Sequence, residues 1–149
     1  MDKFTYKGLA EIRHLNIRKE GPNDDKVLAV DIKFQCTAAA TMFDFFDDGL
    51  ASVLYTDVGA VKNLSIGPIV FTNMVTNCDL IVLKRTYPSI EVSKFALKPK
   101  DGYLVEMAFA ISIQPTGDEV AQLSEFVLDE VEIEIRPQPE LDLKEKTAA

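Results

Sequence analysis

Few residues of this chain belong to the types that usually carry chemistry. The 149 residues include one histidine, His14, and two cysteines, Cys36 and Cys78. A lone histidine on a strand, with no nearby nucleophile pattern, is more often structural than catalytic. The cysteines are far apart and lack metal-ligand spacing. A disulfide is possible from their number alone, but we interpret both as small buried hydrophobic residues.

Motifs that bind phosphates, nucleotides or metals are also missing. The seven glycines never cluster, so the sequence has neither a phosphate-binding loop nor a dinucleotide-binding fingerprint. It also lacks a nucleophile elbow and zinc-ligand spacing. No pair of polar residues is nominated for general acid–base catalysis. We therefore expect a protein that is not an enzyme and that uses no cofactor.

Long hydrophobic runs are absent as well. No apolar run reaches the roughly 18 residues that cross a bilayer, and the polar segment Met1–Lys7 does not resemble a secretory signal. From these two observations we predict a cytoplasmic protein that does not contact a membrane. The composition, with 47% hydrophobic and 27% charged residues, is that of a globular protein. At this length we expect one domain, over residues 1–137.

Acidic charge is concentrated near the C-terminus. Residues 1–117 contain 14 acidic and 13 basic residues, whereas residues 118–149 contain 10 acidic and 3 basic residues. A chain polarised in this way can attract its own copies or a basic partner, although the same charge can simply maintain solubility. We therefore expect a homo-oligomer or a complex with another protein. Residues 138–149 are predicted to form a flexible acidic tail.

Alternation of apolar and polar residues predicts a sheet. In Tyr103–Gln114 and in Leu28–Cys36 every second residue is apolar, which is typical of strands with one buried face. Residues 90–97 form a further strand with a bulge. Asp101 and Gly102 provide turn chemistry between 90–97 and 103–114, so we predict a hairpin there.

Other strands are predicted from weaker patterns. Residues 4–18 have strand composition with imperfect alternation, which a bulge or bend around Gly8 would reconcile. Together with the strand that follows, they indicate an antiparallel hairpin over residues 1–36. A short strand is expected within 58–70, ending at the proline, and a buried strand at 80–83.

Two helices are expected, at about 40–54 and 117–128. The first shows apolar residues at spacings of three and four, and the second begins with a capping box formed by Thr116 and Glu119. A last strand around 131–135 has a charged outer face, which suits a sheet edge. The predicted fold class is α+β, a mainly antiparallel sheet of about six to seven strands with two helices.

One candidate site is basic and lies beside the aromatic residues Tyr87, Phe95 and Tyr103. Basic and aromatic side chains on a sheet can bind single-stranded nucleic acid by stacking on its bases. The alternative, which we favour, places Phe95 in the core and the lysines at turns for solubility. The basic residues of this candidate site are Lys84, Arg85, Lys94, Lys98 and Lys100.

Two further candidates are acidic or apolar. Asp44, Asp47 and Asp48 share the first predicted helix and are candidate ligands for Mg²⁺, although a solvated helix face is the favoured interpretation. In the tail, Leu141 and Leu143 can dock in an extended conformation on the sheet edge of a partner. The alternative for the tail is a free chain end.

Several segments resemble small uncharacterised proteins encoded in bacteriophage and prophage genomes. These segments are residues 13–22, 26–32, 114–119 and 139–143. The resemblance implies a bacterial or phage origin and transfers no site residue. Our leading hypothesis is a non-enzymatic interaction or assembly protein that acts by self-association or protein binding. The alternatives are a single-stranded nucleic-acid-binding accessory factor, and a small-ligand binder or enzyme whose site is not visible in the sequence.

Overall fold

Antiparallel sheet dominates the computed structural model, which describes residues 3–139. The seven strands in this part of the chain are β1 (Tyr6–Glu20), β2 (Val27–Ala39), β3 (Ile69–Phe71), β4 (Val75–Val82), β5 (Arg85–Lys100), β6 (Leu104–Ile113) and β7 (Glu130–Pro137). Six of them close into a barrel, in the order β5-β4-β7-β1-β2-β6, because β6 also pairs with β5. The short β3 pairs with β5 outside this ring. The sheet-dominated α+β class is confirmed, whereas the closure into a barrel was not predicted.

Apolar side chains from alternate strand positions fill the barrel. Phe34 and Phe109 lie on the paired strands β2 and β6 with ring centroids 5.7 Å apart. Phe4, just before β1, packs edge to face with Phe95, and their ring centroids are 5.2 Å apart. All four rings and Ile32 are buried. The predicted buried faces are therefore confirmed for the 28–36 segment and from Val105 to Ile113, whereas Tyr103, which was predicted to share the second face, is 46% exposed and precedes β6.

Both predicted hairpins are present. β1 pairs with β2, and β5 pairs with β6, in antiparallel register. The irregularity in β1 falls between Ile12 and His14, not at Gly8. The bulge expected in the fifth strand lies between Ser93 and Ala96. The imperfect alternation of residues 4–18 therefore did indicate a bulge, but it was assigned to the wrong position.

The helix predicted over residues 40–54 is in fact two short helices. They are α1 (Met42–Phe46) and α2 (Leu50–Leu54). Asp47 is extended, and Gly49 takes a left-handed conformation with φ of 83°. Glycine adopts this conformation without a steric penalty. The prediction of one helix was wrong because the apolar spacing continues across a break that the glycine makes possible.

The last helix, α3 (Gly117–Glu125), begins as predicted. Thr116 Oγ1 accepts a hydrogen bond from the Glu119 amide at 3.2 Å, and Glu119 Oε1 accepts one from the Thr116 amide at 2.8 Å. The helix ends before residue 128, because Leu128 has a φ of 72° and donates its amide to the Ile12 carbonyl at 2.6 Å. The capping box is confirmed, but the predicted C-terminal end is wrong.

Two strand predictions need correction. The final strand β7 is not a sheet edge, since it pairs with β1 on one side and with β4 on the other. Its charged residues face outward from the barrel wall, where alternation alone cannot distinguish an edge from a central strand. The short strand expected to end at Pro68 begins after it, at Ile69. No helix within residues 3–139 is long and apolar enough to span a bilayer.

Candidate functional site

The strands β1 and β2 separate at one end of the barrel and leave a cleft between them. Their pairing runs only from Glu11 opposite Gln35 to the hairpin end of both strands. Beyond that point Tyr6–Ala10 pairs with β7 alone, and Cys36–Ala39 pairs with β6 alone. Within the described part of the chain, neither segment has a strand partner on the side of the cleft, whose volume is about 870 Å³. The cleft therefore presents two unpaired strand edges.

Tyr6 lines the cleft at the start of β1. Its hydroxyl donates a hydrogen bond to the carbonyl of Leu9 at 2.5 Å. Its ring lies over Gly8, where an added Cβ would come within 3.1 Å of the Tyr6 hydroxyl oxygen. The absence of a side chain at Gly8 thus lets the phenol fold back along its own strand. This local arrangement is one feature that distinguishes the start of β1 from the strand pairs around it.

The side chain of Cys36 lies beside Tyr6 at the floor of the cleft. Burial raises the pKa of the Cys36 thiol to about 12. Burial also raises the pKa of the Tyr6 hydroxyl, and the neighbouring Cys36 and the charge of Glu130 raise it further. Both groups are therefore protonated at neutral pH. A protonated, buried thiol is a poor nucleophile and a poor metal ligand.

Carboxylates dominate the charge of the cleft. Among the residues that line it are Glu11, Glu106, Glu130 and Glu134, against only two cations. Glu11 accepts a hydrogen bond at 2.8 Å from Arg13, which does not line the cleft. Glu130 and Glu134 have no ion-pair partner within 4.0 Å among residues 3–139. The site is therefore a polar cleft with excess negative charge.

Glu106, like Glu11, already has polar neighbours. Gln35 donates a hydrogen bond to it at 2.6 Å, and Lys100 lies 3.5 Å away. Lys7 and Arg136 are the cations among the lining residues. Arg136 also lies 3.8 Å from Asp79 on the neighbouring strand β4. Lys7 is in register with Glu134 across the β1–β7 pair, so Glu130 is the lining carboxylate with no cation opposite it or in an ion pair among residues 3–139.

The three aspartates considered for Mg²⁺ do not form a site. The Asp44 carboxylate accepts a hydrogen bond from the Ala51 amide at 3.0 Å and so links α1 to α2. Asp47 and Asp48 lie in the exposed break between these helices. In residues 3–139 no group of three or more His, Cys, Asp or Glu side chains is placed to hold a metal ion. The role of Asp44 is to join two short helices.

The basic residues considered for nucleic-acid binding are spread along β5. Arg85, at its start, lies 3.0 Å from Glu119, and Lys100, at its end, lies 3.5 Å from Glu106. With a rise of about 3.3 Å per residue, the two ends of such a strand are far apart. Phe95 is buried in the barrel, as the alternative interpretation expected. Lys84 is in the preceding turn and Lys94 in the bulge, with Lys98 towards the end of the strand.

The remaining sequence candidates lie away from the cleft. His14 is exposed and faces Lys33 in the paired part of β1. Leu141 and Leu143 lie outside the described residues, so their role stays a prediction. Sequence reasoning missed the cleft itself. The one available signal was the disturbed alternation around Ile12, which marks where β1 leaves β2.

Comparisons with protein-family models, with curated proteins and with solved structures find no match for the chain. The geometry and charge of the described residues therefore carry the functional interpretation.

Proposed function

We propose that the protein is a non-enzymatic interaction or assembly protein, of phage or prophage type, that binds an extended segment of a partner protein in the cleft between β1 and β2. The observation that carries this proposal is the pair of unpaired edges, Tyr6–Ala10 and Cys36–Ala39. An extended peptide can add to such an edge through main-chain hydrogen bonds, while neighbouring side chains provide specificity.

The rest of the barrel makes these open edges unusual. Closing a sheet into a barrel removes its edges, which otherwise promote aggregation. Here the ring is closed by pairing between β5 and β6. At one end of the β1–β2 pair the two strands separate, so that both have an open edge in the wall. A binding site for a strand accounts for this departure.

The chemistry of the cleft supports binding rather than catalysis. The raised pKa of Cys36, about 12, keeps its thiol protonated at neutral pH. The carboxylates of the cleft lie on three different strands and are not grouped for a metal ion within the described residues. What the cleft offers is backbone polar groups, negative charge and some apolar surface, which together suit recognition of a polypeptide.

A peptide-selection experiment tests the proposal. Peptides are selected from a random library on the immobilised protein, and their binding is mapped by two-dimensional ¹H–¹⁵N NMR. We expect the selected peptides to shift amide signals of Tyr6–Ala10 and Cys36–Ala39. Failure to select any peptide, or shifts confined to other surfaces, would contradict the proposal. Light scattering in the same buffers reports whether the partner segment comes from a second copy.

A matched pair of variants localises the binding. Thr37 is exposed and lines the cleft, so Thr37→Trp is expected to fill it and to abolish peptide binding. Thr86 is also an exposed strand threonine but lies outside the cleft lining. Thr86→Trp should leave peptide binding unchanged. Single-stranded polypyrimidine DNA, added in parallel, tests the alternative nucleic-acid function through the signals of Lys94 and Lys98.

A further inference from the structure

We infer that the segment bound in the cleft is cationic, with lysine or arginine at alternate positions of an extended chain. This inference rests on the proposed function and adds the chemical class of the partner. Three features of the cleft support it: a carboxylate with no cation opposite it, the like-charge pair that this carboxylate forms within the barrel wall, and apolar surface placed beside the carboxylates.

One carboxylate on β7 has no cation opposite it. Glu130 and Glu134 are on the same face of this strand, but Glu134 is in register with Lys7 on β1, whereas Glu130 is opposite Glu11 and has no ion-pair partner within 4.0 Å among residues 3–139. At about 3.3 Å per residue, the two glutamates lie roughly 13 Å apart along the strand. A bound strand presents side chains on one face about 6.6 Å apart, so every second cation of an alternating series matches this spacing.

The like-charge pair joins β7 to β1. Glu130 is in direct register with Glu11 on the neighbouring strand. Like charges directly opposite each other destabilise an antiparallel pair. Both side chains line the cleft, so a cation bound there would relieve the repulsion between them. An anionic or neutral occupant would leave that repulsion in place.

Apolar surface beside the carboxylates suits long cationic side chains. Leu9 and Leu104 line the cleft and are 53% and 41% exposed. Lysine and arginine bury their aliphatic stems on apolar surface while their charged ends remain in contact with water or with carboxylates. Gly8, Ala38 and Ala39 are also part of the lining and leave room for a backbone to approach. The cleft thus fits both parts of such a side chain.

Charge also argues against the chain's own C-terminal segment as the occupant. Residues 138–149 contain three acidic and two basic residues, a net charge of −1. Placed in the cleft, they would face the carboxylates of β7 and increase the repulsion. We therefore expect the cationic segment to come from a different protein.

Labelled peptides with the intact protein test the inference by fluorescence anisotropy. Three peptides of about eight residues, long enough to span the open edges, carry valine at every second position and lysine, glutamine or glutamate between. A fourth peptide has the sequence of residues 138–149. We expect the lysine peptide to bind about tenfold more tightly than the glutamine peptide, with an advantage that salt reduces. The glutamate peptide and the C-terminal peptide should not bind.

Paired variants separate a local effect from general charge attraction. The double variant Glu130→Gln/Glu134→Gln should remove most of the preference for the lysine peptide over the glutamine peptide. The control Asp24→Asn/Glu125→Gln changes the net charge equally at exposed positions outside the cleft and should preserve the preference. Equal loss in both double variants would overturn the inference, as would equal affinity for the lysine and glutamine peptides. In the second case, binding that still maps to the cleft leaves the proposed function standing, whereas no binding by any peptide overturns both.

Discussion

Glu11 and Glu130 face each other in register across the β1–β7 pair, at the edge of the cleft. Such a like-charge pair costs stability in the unbound protein. It also concentrates negative potential at the place where two strand edges are open. The same pair therefore links the stability of the barrel to its proposed binding function.

Removing one charge of this pair should stabilise the fold. We expect Glu130→Gln to raise the free energy of unfolding by about 0.5 kcal/mol, because the cross-strand repulsion is lost. Glu132 lies opposite the uncharged Leu9 in the same strand pair, so Glu132→Gln serves as the control and should have a smaller effect. Urea unfolding of the three proteins measures the difference. A loss of stability in Glu130→Gln would show that the pair is not repulsive.

The turn between β5 and β6 depends on a close approach of Gly59. An added Cβ at Gly59 would lie 2.3 Å from the ring of Tyr103, and the φ of Gly59 is 84°. The carbonyl of Gly59 also accepts the amide of Tyr103 at 3.1 Å. We expect Gly59→Ala to cost about 2 kcal/mol or more, from overlap and backbone strain together. Gly67→Ala is the control, since its added Cβ meets nothing within 4 Å, and thermal unfolding compares the two.

The first strands contain an ion-pair network whose contribution depends on pH. The Arg18 guanidinium, at 2.9 Å, lowers the pKa of Asp31 to about 2, with further hydrogen bonds from Ser112 and Asn16. The pKa in the folded protein is below the unfolded value of about 3.9, so the stabilisation is complete above about pH 4 and is lost as the pH falls towards 2.

Substitution of this carboxylate gives the measurable consequence. Because the Asp31 side chain is 37% exposed, solvent screening limits the expected loss in Asp31→Asn to about 1 kcal/mol at neutral pH. Urea unfolding at a series of pH values should show the two proteins converging as the pH approaches 2. A difference that stays constant down to that pH would mean that charge on Asp31 does not stabilise the fold.

The start of α3 provides a test of the capping box. Thr116→Ala removes the oxygen that accepts the Glu119 amide and should cost about 1 kcal/mol. Thr116→Ser keeps a hydroxyl at the same position and should cost much less. Chemical denaturation of both variants distinguishes capping from a simple effect of size.

Local patterns predicted the strands well and the assembly poorly. Alternation in Leu28–Cys36 and Tyr103–Gln114 identifies buried faces because each side chain's direction depends only on its neighbours. Whether β7 is central or at an edge depends on its pairing with β4, which is about 50 residues earlier in the chain. The alternation of apolar and polar residues in β7 is the same in either case. Closure of the barrel is likewise decided by pairing between distant strands.

The candidate site was harder still to predict. It consists of an absence of pairing between Tyr6–Ala10 and Cys36–Ala39. The disturbed alternation around Ile12 indicates an irregularity in β1, but it does not indicate that the two strands separate there. The acidic residues of β7 were recognised, but as protection of a sheet edge. The basic residues of β5 drew attention because they are close in sequence, whereas the extended strand separates Arg85 from Lys100.

Amide hydrogen exchange, with and without the alternating lysine peptide, tests the central claim most directly. At the edge of an antiparallel sheet, alternate amides point outward and have no hydrogen-bond partner on a neighbouring strand. If a strand adds in the cleft, outward amides within Tyr6–Ala10 or Cys36–Ala39 should exchange more slowly in the presence of saturating peptide, while those of the paired segment Leu15–Arg18 remain unchanged. Bound peptide with no added protection at either edge would contradict the account.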